Sequence, residues 1–411
     1  MSTTNEPVKG TKPVSSNDGP VRVLNVLGGT DLGGAESRIM DLFRHLDRDR
    51  VVFDFLVHMD PAGYMRASAE GKPPEGYRKR QHFDDEIERL GGRIYAVPRL
   101  TRSTYLLYVK ALEDFFLKNK DHIDVLEGHM TSTASIYMKI ARKYGISPII
   151  CHARSAGTGS GFKGFVKHCF RKGAYRYADH LFTCSEKAGL AVFGNRETVF
   201  IPNAIETRRF AFSPEDRAEV RREYGLENKR VAGHIGRFSY PKNHGFLLRV
   251  FDEMLPGNDD LMLLLVGNGE LYTEVREEAA SLGLGNRVIF AGERSDPERF
   301  YSAMDLMIFP SRYEGMPGSV VEAQANGLPC LLSDAVSRET AQCDLVNFLP
   351  LDDGEKAWSE SALRLLNRYG AEKREKLSEA GIKALTDSCY DAEALARKLT
   401  EFYIGRTDVF N

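Results

Sequence analysis

Val21-Arg22-Val23-Leu24-Asn25-Val26-Leu27 runs straight into Gly28-Gly29-Thr30-Asp31-Leu32-Gly33-Gly34-Ala35-Glu36. A β-branched and Leu-rich run, a glycine-bearing loop and an amphipathic stretch over Ala35–Leu46 read as the strand, turn and helix of a βαβ unit. Outward from this segment the alternation continues. Strands are expected at Val52–His58, Arg93–Val97, Val125–Gly128 and Ile149–Cys151, with helices at Phe83–Leu90, Val109–Asn119 and Ser132–Tyr144. A second series follows Ile201-Pro202-Asn203-Ala204, with strands at Arg230–Ile235, Leu261–Val266, Val288–Ala291 and Leu306–Phe309. Its helices are expected at Asn243–Met254, Glu270–Leu282 and Pro297–Ala303. The pattern predicts an α/β chain with two parallel-sheet, Rossmann-like domains, 20–204 and 205–389, and a last helix within 390–411. Residues 1–19 lack apolar periodicity and are expected to stay disordered, because nothing offsets their ordering entropy.

Composition agrees with this division and narrows the partners. At 411 residues and 42% hydrophobic, the chain can bury two ordinary cores. Its net charge of −2 leaves no global field for nucleic acid, so any basic surface is local. The longest strongly apolar run, Leu261–Val266, is far shorter than the roughly 20 residues a membrane helix needs. The polar N-terminus lacks a signal-peptide core, and a cytoplasmic location is expected. Six scattered cysteines without a CxxC pair fit reduced thiols rather than a disulfide frame or zinc site. Asp47-Arg48-Asp49 has the outline of a metal-binding pair but lies in a charged turn after a helix, so no metal site is expected.

The first strand of each half feeds a loop where open sheets bind ligands. The glycines of 28–34 follow neither G-x-G-x-x-G nor a P-loop, and two readings stand: a tight turn that uses glycine for positive φ, or a ligand loop. The matching turn in the second half is Gly236-Arg237-Phe238-Ser239-Tyr240-Pro241-Lys242-Asn243-His244. Arg237 and Lys242 either converge on a diphosphate, the one as a planar fork and the other as a point charge, or are two solvated cations. Further on, Glu314-Gly315-Met316-Pro317-Gly318-Ser319-Val320-Val321-Glu322-Ala323 puts a broken turn in front of an apolar helix. Uncovered backbone N–H groups at such a helix start favour phosphate, while carboxylates accept from sugar or ribose hydroxyls. A nucleotide sugar presents both.

Together these segments resemble the retaining GT-B glycosyltransferases of glycosyltransferase family four, and most of all enzymes of capsule and exopolysaccharide assembly. The likeness runs from about Val21 to Tyr403, and its most specific part is the two-Glu motif with Glu322-Ala323-Gln324-Ala325-Asn326-Gly327-Leu328-Pro329. Gly33-Gly34-Ala35-Glu36, Ile201-Pro202-Asn203-Ala204-Ile205, Gly236-Arg237, Val266-Gly267-Asn268-Gly269 and Phe309-Pro310-Ser311-Arg312-Tyr313 support it. The resemblance implies two domains facing across a cleft, with 390–411 folding back on the first. It implies a nucleotide-sugar donor, a UDP-sugar being favoured over GDP-mannose, held by Gly33, Gly34, Arg237, Lys242, Glu314, Gly315, Met316, Pro317, Gly318, Ser319 and Glu322, without cofactor or metal. Glu322 would take the ribose, Glu314 the sugar, and Arg237 and Lys242 the developing charge on the leaving nucleotide. The acceptor is then a saccharide or lipid-linked saccharide. Ala204 departs from the glycine common at that junction, without loss of a chemical group.

On the acceptor side, His152 and Arg154 follow the strand expected at Ile149–Cys151, and His129 follows Val125–Gly128 in a similar position. The family's histidine at such a place contacts the donor sugar; an ordinary loop histidine is the alternative for both. From Gly161 to Tyr177, Lys163, Lys167, Arg171, Lys172 and Arg176 share a helical pattern with Phe162, Phe165, Val166 and Phe170. That pattern reads either as a core helix with a solvated basic face or as peripheral contact with anionic lipid at the inner face of the cell membrane. Two rival functions stand beside the transferase: a nucleotide-sugar epimerase of the same architecture, and a noncatalytic sugar-nucleotide-binding protein.

Overall fold

The computed structural model describes residues 19–154 and 173–410. The segment expected to be disordered, 1–19, lies outside them but for Gly19, as do Lys163, Lys167, Arg171 and Lys172. Arg176 is described: it is exposed on a 3-10 turn, Ala174–Arg176, so the expected helix does not extend to it.

Two compact units emerge, and each is built around one parallel sheet. The first ends at Asn203 and resumes at Glu393; the second is Ala204–Ala392. The first sheet contains β1 (Val21–Val26), β2 (Val51–Met59), β3 (Ile94–Pro98), β4 (Val125–Gly128), β5 (Ile149–Ala153), β6 (His180–Thr183) and β7 (Val199–Phe200), in the order β3-β2-β1-β4-β5-β6-β7. The second contains β8 (Arg230–Ile235), β9 (Leu261–Val266), β10 (Val288–Gly292), β11 (Leu306–Phe309), β12 (Cys330–Ser333) and β13 (Val346–Leu349), in the order β10-β9-β8-β11-β12-β13. All nine residues of β2 and all six of β9 are buried, as expected of parallel strands covered by helices on both faces.

The strand order reverses between β1 and β4 and between β8 and β11. At such a switch point the connecting loops diverge and leave a crevice at the carboxyl ends of the strands. One loop of each pair is the glycine-bearing segment singled out in the sequence.

The unit boundary differs from the expected one at the C-terminal side for a physical reason. Ile205 exchanges backbone hydrogen bonds with the Tyr390–Ala392 segment, and Thr207 Oγ1 donates to Asp391 Oδ2 at 2.5 Å. Tyr390 and Asp391 are therefore held by the second unit. The Ala392–Tyr403 helix then packs on the first unit, with Phe402 against Phe182 and Arg50 paired to Glu401 at 2.7 Å. The five described cysteines carry free thiols. Among the described residues no helix is long and apolar enough to cross a membrane.

Candidate functional site

In the second unit, chemistry gathers at the β8/β11 switch point. Lys242 closes a 3-10 turn, Tyr240–Lys242, and Asn243 beyond it adopts a left-handed conformation at φ 59°, which its Nδ2 secures by donating to Pro310 O at 3.1 Å. This turn aims Lys242 at the loop after β11. Its Nζ lies 2.7 Å from Glu314 Oε1 and 4.4 Å from the centre of the Phe309 ring. Glu314 is itself held by backbone pairing to the Ala335–Val336 segment.

Arg237 is placed differently from what its spacing to Lys242 implies. Its Nε pairs with Glu270 Oε2 at 3.1 Å, and its side chain is 73% exposed. The two cations do not share a partner; they flank Gly236. A cavity of about 620 Å³ opens beside Arg237, lined also by Gly236, Gly267, Asn268, Glu270 and Arg294. Gly267 is indispensable to its shape: at φ 137°, a Cβ there would strike the carbonyl of Gly236.

The Gly318–Ala325 helix begins at Pro317 without a side-chain cap, which leaves N–H groups of its first turn without an intrahelical partner. On this helix Glu322 is nearly buried, and one of its oxygens accepts from Tyr301 Oη at 2.8 Å. Behind the loop, His234 stacks on Phe309 and His244 on Phe238. Burial, and next the neighbouring His244 for one ring and Lys242 for the other, push both imidazoles below their ordinary range, His244 to about 4. Both are neutral, so they add no charge behind Lys242.

In the first unit the reading of the glycine loop as a positive-φ turn is not borne out. None of Gly28, Gly29, Gly33 and Gly34 has positive φ, and Gly33 is extended at φ −150°. The turn does not require them. Instead, the space a Cβ would fill at Gly28 and Gly34 is open, so the backbone is left bare. The Gly34–His45 helix likewise starts without a side-chain cap.

His152 requires a correction. It does not follow β5 but lies within it, fully buried, because the strand extends to Ala153. Its Nδ1 donates to Glu127 Oε1 at 2.8 Å, and its Nε2 has no partner among the described residues. It is therefore a buried residue of the strand rather than a residue of the loop after it. His129 stands at the end of β4. Arg154 Nε donates to its Nδ1 at 3.0 Å, so the proton is on Nε2, which donates to Asn25 Oδ1 at 3.0 Å. Burial and the charge of Arg154 hold both histidines well below their usual range.

Arg154 also reaches Asn203 Oδ1 at 3.1 Å, and Tyr403 Oη, from the last helix, donates to the other oxygen of Glu127. Glu127, His129 and His152 bring their ligand atoms within 4.8 Å of one another, as a metal ion would need. The arginine occupies the acceptor nitrogen of His129, however, and opposes a second cation there. The chemistry of this group is that of a positioning network rather than a metal site.

Sequence reasoning missed Glu270, Tyr301, Glu127 and Tyr403. Glu270 had a signal, since it follows Val266-Gly267-Asn268-Gly269 directly. The others join residues up to 276 positions apart and had none.

Comparison with known proteins bears on both units. Residues 33–204 match the family described as Glycosyl transferase 4-like domain, and residues 216–384 match Glycosyl transferases group 1. The Bacillus subtilis (strain 168) protein EpsF, named as a glycosyltransferase, is 31% identical over 398 residues, 94% of this chain and 97% of its own. The Staphylococcus aureus capsular polysaccharide biosynthesis glycosyltransferase CapH is 20% identical over 396 residues, 94% of this chain and 99% of its own. Among solved structures, Anabaena Alr3699/HepE in complex with UDP superposes with a TM-score of 0.71 at 19% identity, covering 93% of this chain and 99% of that one, which shows a common fold. With both domain types matched in order and a relative of nearly equal length at this identity, the chain belongs to the glycosyltransferases of the 4-like and group 1 type.

Proposed function

We propose that the protein transfers a sugar, with retention of configuration and without a metal ion, from a UDP-sugar to a saccharide or lipid-linked saccharide in surface polysaccharide assembly. The observation that carries this reading is the convergence of Lys242, Glu314 and the uncapped Gly318–Ala325 helix on the β8/β11 crevice. Lys242 is held by a carboxylate that a diphosphate can replace, so its charge is positioned before the ligand arrives. Glu314, released, has both oxygens available to sugar hydroxyls. Glu322, on the same helix, carries a carboxylate, the type of group that accepts from ribose hydroxyls. The cavity beside Arg237 has room for the rest of a nucleotide.

Neither Lys242 nor Arg237 is a nucleophile at carbon, and the proposed step is a same-face substitution. The glycosidic carbon–oxygen bond to the diphosphate breaks, the acceptor oxygen bonds to that carbon, and the departing phosphate takes the acceptor proton. The cations stabilise the charge that gathers on the leaving group. UDP as the donor's nucleotide is supported by the HepE complex, and polysaccharide assembly by the naming of CapH.

Thermal-shift titration with UDP, GDP and ADP and their common sugar conjugates, in metal-free buffer, tests the donor site. UDP and its conjugates are expected to raise the melting temperature, and Arg237→Ala to lose most of that shift. Folded protein that responds to no nucleotide would refute the reading and favour a noncatalytic role.

A further inference from the structure

Among the described residues of the second unit, only two large apolar side chains are strongly exposed, Tyr240 at 62% and Tyr313 at 54%. Both stand beside the candidate site. Tyr240 opens the 3-10 turn that ends at Lys242, and Tyr313 immediately precedes Glu314. Single exposed apolar residues are ordinary on any surface, but the two that this unit leaves in water flank the Lys242–Glu314 contact at the β8/β11 crevice.

The loops that carry them are tied together. Arg312 N donates to Pro241 O at 2.8 Å, Asn243 Nδ2 donates to Pro310 O at 3.1 Å, and Lys242 Nζ meets Glu314 Oε1 at 2.7 Å. Across this seam the Arg312 guanidinium lies 4.7 Å from the centre of the Tyr240 ring. A cation over an aromatic face is attracted to it, which holds the ring in place. Tyr240 still keeps most of its surface in water, so open aromatic surface stands next to the N–H donors of Arg312. A rigid, half-wetted aromatic ring with donors alongside suits a pyranose, whose C–H face packs on the negative face of the ring while its hydroxyls take the donors.

Neither tyrosine lines the cavity beside Arg237 that has room for the nucleotide. Transfer itself restricts what else can lie there: the acceptor oxygen must come within bonding distance of the carbon that leaves the diphosphate, so an acceptor ring has to sit next to the Lys242–Glu314 pair. We infer that Tyr240 and Tyr313 form a platform for the acceptor's saccharide ring, the pyranose that receives the transferred sugar. The inference rests on the transfer reaction proposed above and gives the second unit a part in holding the acceptor.

Saturation-transfer NMR on the full chain tests it. The probes are the methyl pyranosides of glucose, galactose, mannose and N-acetylglucosamine, each with and without saturating UDP, and UDP affinity is measured in parallel by calorimetry. At least one pyranoside is expected to receive saturation on its ring C–H protons with UDP present. It should bind about tenfold or more weakly to Tyr240→Ser/Tyr313→Ser and as well as to the parent in Tyr240→Phe/Tyr313→Phe, which keeps the ring faces. UDP affinity should be the same in all three proteins. Equal binding by the parent and the serine variant would overturn the proposal, as would absence of saturation for every probe. Displacement of the pyranoside by the UDP conjugate of any of the four sugars, but not by UDP, would mark a place for the donor's sugar and overturn it as well. Failure of UDP to bind, with the pyranoside result intact, would strike the donor assignment and leave the platform standing. Tyr313→Ser alone repeats the comparison should the double variant lose UDP affinity through the Lys242 turn.

Discussion

The two switch points of this chain carry charge of opposite character. At β8/β11 the charges meet in the open: Arg237 and Glu270 are 73% and 55% exposed, and Lys242 and Glu314 are partly exposed. At β1/β4 they are sealed, with Glu127 4% and His152 0% exposed. An exposed pair is worth little and is readily exchanged for another anion, whereas a buried charge network resists any change of partner. The open cluster is therefore suited to hold a ligand, and the sealed one to hold the frame that positions His129 and Arg154.

The sharpest way to break this contrast is to remove a charge from the sealed side. Glu127→Ala leaves His152 Nδ1 and Tyr403 Oη buried without their shared acceptor, and a loss of about 3–5 kcal/mol is expected in denaturant unfolding. A loss below about 1 kcal/mol would mean that the cluster is not a structural network. On the open side, the effect should move from stability to turnover. Lys242→Ala is expected to lower sugar-transfer turnover about 10²-fold or more, about 2.7 kcal/mol of barrier, while unfolding shifts by less than about 1 kcal/mol. Turnover within about twofold of the parent would remove Lys242 from the leaving-group role.

Acidity probes a property that the two regions share, and its effect per group is the smallest. Six histidines, His58, His129, His152, His180, His234 and His244, have pKa values lowered first of all by burial. Each binds its proton more readily unfolded than folded, so its contribution is complete above an unfolded value of about 6.5 and is lost as pH falls. For His244 the loss runs from there down to about 4. Melting curves across that window should fall with pH, and His244→Phe, which preserves the ring against Phe238, should flatten the fall. An unchanged slope in the variant would show that His244 does not titrate with unfolding.

Much of this architecture was legible along the chain because parallel strands and their helices are local patterns. Val125–Gly128, Arg230–Ile235, Leu261–Val266, Pro297–Ala303 and Leu306–Phe309 have the expected limits. The chief error, at His152, came from the end of a strand, where Ala153 continues pairing with β6 and draws the histidine inside. The Pro61–Ala69 helix, capped by Asp60, gave only a weak apolar period and was not anticipated.

The sequence by itself determined the two βαβ series, the family resemblance and the residue types of the proposed donor loop, since each is written in contiguous residues. Tertiary structure alone decided the partners. Arg237 went to Glu270 and Lys242 to Glu314, and Glu127 gathered His152 and Tyr403 from distant segments. The reason is physical: spacing specifies which face a side chain takes, but which charge it meets depends on how the sheet brings remote strand ends together.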